Sequence, residues 1–232
     1  MVKRKRGLAH IEVILAFVIF SGFLIFAFLF FSPVDNRRVL DSSLFYAVDE
    51  ISDNISIILE SYSVTINNAV PDIVGINITN PNNFSVRVET YSGENLSSNY
   101  DDGYVVFDRG GNNFVIVKFS EDFADGSLTG ERQILSPENY TISSSDTKKI
   151  LSEKGALILN QTYNENYLGL KKNFNLPNRI DFGFSLIFSP NDKIVAENNI
   201  PANLEVVVDE KRVEVIRQDG NIIFADLVVK VW

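Results

Sequence analysis

The sequence predicts an α+β protein, in which a long N-terminal helix, transmembrane in its first half and amphipathic in its second, packs on an antiparallel β-rich globular head. Two changes of pattern along the 232 residues predict it. Residues 13–31 hold no ionisable side chain, and beyond them apolar residues recur at steps of three and four. After residue 69 that spacing gives way to short β-branched and aromatic runs separated by Asn, Gly, Pro and Asp. Four segments follow: a basic leader (1–7), an apolar helix (8–32), an amphipathic helix continuing into the head (33–68) and a β-rich domain (69–232).

The apolar segment is long enough, at 1.5 Å per residue, to cross a hydrocarbon core of about 30 Å. Lys3-Arg4-Lys5-Arg6 precede it, so the positive-inside rule expects the N-terminus in the cytoplasm and the C-terminal domain outside, on a single-pass membrane protein. One acid, Glu12, interrupts the start of the span. An acid in a membrane helix costs roughly 2.5–3.5 kcal/mol at the bilayer centre and less near the interface, which implies a partner or a purpose.

Pro33 breaks the helical hydrogen bonding, and Asp35 is placed to cap a restart. Leu40, Leu44, Val48, Ile51, Ile55, Ile58 or Leu59, and Tyr62 then form one apolar stripe, with Arg37, Arg38, Asp41, Asp49, Asp53, Asn54 and Glu60 on other faces. Such a stripe requires a partner surface, which the protein's own sheet supplies.

In the head, strands are expected over residues 73–79, 84–91, 104–108 and 114–119, with 109–113 as a hairpin turn between the last two. Residues 92–102, rich in Ser and Asn, read as a surface loop. Helical patches are expected near 146–152 and 164–173, then a strand over 182–188. The C-terminal part reads as a meander of 204–208, a turn at 209–211, 212–217, a turn at Asp219-Gly220, and 222–232, so the chain is expected to end inside its last strand without a tail. One ectodomain is the simplest count; two lobes divided near Pro137 is the alternative.

The run Gly7-Leu8-Ala9-His10-Ile11-Glu12-Val13-Ile14-Leu15-Ala16-Phe17-Val18-Ile19-Phe20 resembles the start of a type IV pilin or type II secretion pseudopilin with its class III signal peptide. The resemblance covers about the first 30 residues and the plan of a helix followed by a β-rich domain. It implies cleavage after Gly7 by a membrane aspartic protease, the prepilin peptidase, with Leu8 as the new N-terminus and Glu12 as the fifth mature residue. It also implies assembly with other pilin-like subunits, in which the Glu12 carboxylate neutralises the free amine of Leu8 on a neighbour. Two unit charges about 4 Å apart attract by about 4 kcal/mol at an effective dielectric near 20, before desolvation is subtracted. The chain departs from bacterial pilins in starting with Leu8 rather than Phe, and in carrying Leu29 where many have a proline, delaying its own to Pro33.

Three other interpretations compete for this segment. A secretory signal peptide fits poorly, because the apolar run exceeds the usual ~7–15 residues and no small-x-small cleavage pattern follows it. A buried core helix fails because the run is apolar on every face. A plain signal anchor accounts for all but Gly7 and Glu12.

Candidate chemistry in the head is sparse. With no Cys, and with His10 as the only His, a Ser-His-Asp triad and a multi-His or thiolate zinc site have no ligands there. Asp101-Asp102-Gly103 and Asp219-Gly220 lack the alternating oxygen ligands of a calcium loop and read as turns. Gly110-Gly111 lacks the Gly-Lys-Ser/Thr ending of a phosphate loop. A carboxylate pair for glycoside hydrolysis stays open among 30 acids, with no spacing that nominates one. No cofactor or metal is expected, and no enzymatic activity.

Formal charge is −9, and loss of the four leader cations leaves 17 of the 21 basic residues against 30 acids, or −13. Such a surface is expected to repel nucleic acid and anionic lipid. Six Asn-x-Ser/Thr sequons, at Asn54, Asn77, Asn83, Asn95, Asn139 and Asn160, are candidate glycan sites, against about three expected by chance from this composition. With the absence of Cys, they suit an archaeal cell-surface protein. The function expected is that of a non-enzymatic structural subunit of a pilus-like or pseudopilus-like surface filament, concerned with secretion or adhesion. The alternative is a single-pass membrane-anchored extracellular domain that binds a surface glycan or cell-wall ligand.

Overall fold

The structure, a computed structural model, describes residues 5–30, 35–67, 69–80, 82–128 and 131–232; Lys3, Arg4 and Pro33 lie outside the described residues. Two helices come first, α1 (Lys5–Phe30) and α2 (Asp35–Ile55). Eight strands follow: β1 (Ser56–Ile66), β2 (Ile73–Ile76), β3 (Ser85–Thr90), β4 (Asn95–Leu96), β5 (Ser98–Asp101), β6 (Tyr104–Asp108), β7 (Phe114–Ser120) and β8 (Gln133–Ile134). Then come β9 (Tyr140–Ser152), α3 (Glu153–Glu165), α4 (Tyr167–Asn173), β10 (Phe182–Ser189), β11 (Asp192–Ala196), β12 (Val207–Ile216) and β13 (Ile222–Val231). The class is mixed α and β, with an apolar N-terminal helix and a large, mostly antiparallel sheet.

Nine strands form that sheet in the order β11-β10-β13-β12-β9-β1-β7-β3-β4, and a second sheet runs β5-β6-β2-β8. Two main cores result. Leu40, Leu44, Ala47, Ile51 and Ile55 of α2 pack with Ala156, Leu159 and Tyr163 of α3 against Phe182, Phe184, Leu227, Val229 and their neighbours on β10–β13. The second core, around Val64, Val74, Val88, Phe107, Val117 and Phe119, lies between the small sheet and the β1-β7-β3 strands. The amphipathic stripe expected of α2 therefore finds its partner in the protein's own sheet.

Several elements differ from the sequence expectation. The amphipathic helix expected to run to residue 68 stops at Ile55, and residues 56–66 are β1. Apolar residues at 57, 58, 59, 62, 64 and 66 satisfy both periods, but the β-branched Ile57, Ile58, Val64, Thr65 and Ile66 fit a pleated strand better. Pairing on both sides, with β7 and β9, then decides the matter. The helical patch expected at 146–152 is the end of β9, paired antiparallel with β1. The helix starts one residue later: Ser152 Oγ caps it by accepting from the Gly155 N–H at 2.8 Å. Gly155 lets the helix start pass close to α2: a Cβ there would lie 3.3 Å from the Ile55 Cα, tighter than an ordinary van der Waals contact.

Residues 109–113 do not close a hairpin, because β6 and β7 belong to different sheets. The hairpin turn of the small sheet is instead Asp102-Gly103, where φ of +51° and +85° gives the twist that joins β5 to β6. Residues 92–102 are not wholly loop, since β4 and β5 lie within them. Asp209-Glu210-Lys211 is not a turn: β12 runs straight through it, paired with Val229, Val228 and Leu227 of β13. Nor does Pro137 divide lobes, because β9 beyond it pairs along its length with β1 before it.

Candidate functional site

The N-terminal helix has the least ordinary surface in the molecule. The large apolar side chains from Ile11 to Phe28 on α1 are 40% to 77% exposed, and this stretch is long and apolar enough to cross a membrane. Exposed on every face, it is a candidate membrane span or signal sequence. Glu12 is exposed in the second turn and has no ion pair among the described residues. Leu8 and Glu12 sit four residues apart on one helix, hence on the same face one turn from each other. Gly7 also lies within α1.

The six sequons fall at unequal positions. Asn54, Asn77, Asn83 and Asn95 are exposed, while Asn139 and Asn160 are half-buried. The Asn54 amide donates to the Glu50 carbonyl at 2.7 Å, that of Asn139 donates to Ser136 Oγ at 3.0 Å, and Asn160 Oδ1 accepts from Asn164 at 3.0 Å. Asn95 Oδ1 accepts from the Arg87 guanidinium. Among the described residues, Asn77 and Asn83 make no side-chain hydrogen bond.

In the head, a polar cleft of about 410 Å³ is lined by Arg87, Ser97, Ser98, Phe123, Gly126 and Asp219 among others. Its one cation is already engaged. Arg87 donates to Asn95, to the Asp219 carbonyl at 3.2 Å and to Asn221 Oδ1 at 3.0 Å, and lies 3.4 Å from Glu89. Among the described residues no group of three or more His, Cys, Asp or Glu side chains is placed to hold a metal ion.

The shifted pKa values concentrate elsewhere, in a polar web that the sequence did not disclose. Tyr163, Tyr167 and Lys171 recur every four residues through α3 and α4, and this spacing was the available signal. The Tyr163 hydroxyl donates to the Phe182 carbonyl at 2.7 Å, and the Tyr167 hydroxyl and Lys171 Nζ each donate to Asp181 Oδ1 at 2.9 Å. Burial pushes the Tyr163 phenol up to about 12 and raises that of Tyr167 further. Burial alone would raise the Asp181 carboxyl, but bonds from Lys171 and Tyr167 outweigh it and hold it below its ordinary value. These bonds tie α3 and α4 to the start of β10.

Two further clefts lie at the N-terminal end of α2 and share Val39. One, about 420 Å³, is lined by Arg38, Tyr46, Leu176 and Pro177; the other, about 330 Å³, by Arg179, Leu204, Glu205 and Trp232. A scan against protein-family models and searches of curated proteins and of solved structures return no match to this chain.

Proposed function

We propose that this chain is a non-enzymatic structural subunit of a type IV pilus-like or pseudopilus-like surface filament. In this role α1 and α2 act as one long helix, its first half stored in the membrane with the N-terminus cytoplasmic and its second half clamped to the extracellular head. Prepilin peptidase cuts after Gly7, and the apolar faces of residues 13–31 then leave lipid to pack against other pilin-like subunits. Glu12 pairs with the new amine of Leu8 as the helices come together. The observation that carries this is an all-round exposed apolar helix with a single acid, five residues after a glycine that ends a basic leader.

Mass spectrometry of native protein from its membrane tests the proposal. Leu8 as first residue is the expected result, and an intact 1–7 segment would overturn it. Glu12→Ala should leave membrane insertion intact and abolish incorporation into filaments; normal incorporation would remove Glu12 from the proposed role. The polar cleft beside Arg87 favours a second reading, an anchored extracellular domain that binds a surface glycan or cell-wall ligand, for which an uncleaved leader is the expected finding.

A further inference from the structure

The base of the head has a composition that the filament role does not use. From Phe30, the last residue of α1, to Asp35, the first of α2, the chain has five peptide steps. They span at most roughly 18 Å fully extended, and about 8 Å if helical. When α1 crosses a bilayer, the N-terminal end of α2 is therefore held at the lipid headgroups. The two clefts that meet at Val39 are at that end.

Their lining matches a headgroup layer. Arg38 and Arg179, one in each cleft, are exposed and have no carboxylate partner among the described residues. Arg37 is engaged only by a 4.0 Å contact with Glu205, with both side chains mostly exposed. Tyr46, Leu204 and Val206 present exposed apolar surface, and Trp232, the only tryptophan in the chain, is buried at the wall of the second cleft. Tyr favours the depth at which one end of the ring is dry and the other wet, and guanidinium groups bind phosphate through paired N–H donors. Acids nearby include Asp35 at the start of α2, Asp41, exposed on its next turn, and Asp181, held by Lys171. Among the described residues, a chain of net charge −9 thus presents two cations without a carboxylate partner at the end of the head next to its own anchor.

We infer that the base of the head, through Arg38, Arg179 and the clefts beside Val39, docks on phospholipid headgroups while α1 spans the membrane. This rests on the membrane-stored state in the proposed function, and on no step of filament assembly. Docking fixes the tilt of the head over the span and brings the wall of the second cleft, with Trp232 behind it, to headgroup depth.

Trp232 is a built-in reporter of this contact. The full-length chain is reconstituted at no more than one copy per vesicle in phosphatidylcholine with about 30 mol% phosphatidylglycerol, which supplies the surface potential. The lipid carries a nitroxide either on the headgroup or deep in the acyl chain. Headgroup nitroxide should quench Trp232 and the deep nitroxide should not. Arg38→Gln with Arg179→Gln should shift the docked–undocked equilibrium roughly fivefold per arginine, and quenching should fall with it, as it should near 1 M salt. Floating vesicles whose Trp232 is unquenched by headgroup nitroxide, or equally quenched in the double variant, overturn the docking alone. Quenching or shielding that appears only with several chains per vesicle assigns the surface to a second copy and overturns it too. A chain that does not float with lipid after an alkaline wash overturns the membrane span and the docking with it.

Discussion

The Tyr163 hydroxyl donates to the carbonyl oxygen of Phe182 at 2.7 Å while the two rings meet edge to face at 5.4 Å. The same hydroxyl accepts the Asn198 N–H at 3.2 Å, so one side chain of α3 ties together β10 and the segment beyond β11. Tyr163→Phe keeps the ring and removes the hydroxyl, leaving the buried Phe182 carbonyl and the part-buried Asn198 N–H to find other partners. A loss of about 1–3 kcal/mol in urea unfolding is expected. Because burial raises the folded-state phenol to about 12, its contribution is present below the unfolded value near 10 and lost as pH rises through 12. Part of the alkaline loss of stability should therefore vanish in the Phe variant.

Asp181 has the opposite sign. Its carboxyl is held below the ordinary value of 3.8, so its contribution is present above that pH and lost as pH falls through the lower, folded-state value. Asp181→Asn should flatten the acid limb of a melting-temperature profile below about pH 4. An unchanged acid limb would show that solvent screens the pair with Lys171.

The two halves of the large sheet meet at two parallel residue pairs only, Val215 with Leu151 and Ile216 with Ser152. A small cluster of Leu59, Phe123, Ile150 and Ile216 lies at this junction. Phe123→Ala should cost about 3–5 kcal/mol, as a large core truncation does. The test is the urea midpoint followed at once by Trp232 fluorescence and far-ultraviolet circular dichroism. Coincident curves at a lowered midpoint are expected if the junction couples both cores, and a midpoint within error of wild type would deny it that role.

Glycan occupancy should follow side-chain freedom. Among the described residues, Asn77 and Asn83 are exposed and make no side-chain hydrogen bond, whereas the amides of Asn54 and Asn139 donate to neighbouring oxygens, Asn95 accepts from Arg87 and Asn160 is half-buried. Glycopeptide mass spectrometry of protein from its own membrane should find the highest occupancy at Asn77 and Asn83. Higher occupancy at Asn139 or Asn160 would indicate modification before folding.

Much of the head was legible wherever one strand is both short and bounded by turn residues. β6 and β7 lie within a residue of where Tyr104-Val105-Val106-Phe107 and Phe114-Val115-Ile116-Val117 place them, and Asp102-Gly103 makes the turn its composition favours. Legibility failed where two periods fit the same residues. Ile55, Ile58, Leu59 and Tyr62 continue a helical stripe as well as they start a strand. The polar web was missed because Asp181 and Phe182 are joined to Tyr163 and Lys171 only by the fold.

The sequence by itself determined the apolar span, the basic residues before it, the lone Glu12 and the amphipathic stripe of α2, because hydropathy and helical period are sums over neighbouring residues. Only the tertiary structure decided that residues 56–66 and 140–152 are strands, that β12 is unbroken at Asp209–Lys211, and that arginines from α2 and from beyond α4 line two clefts that share Val39. Strand pairing supplies the physical reason. Ser56 gains its partner in Leu151 and Val207 in Val231, and hydrogen bonds between such distant segments outweigh local preferences that differ by less than about 1 kcal/mol per residue.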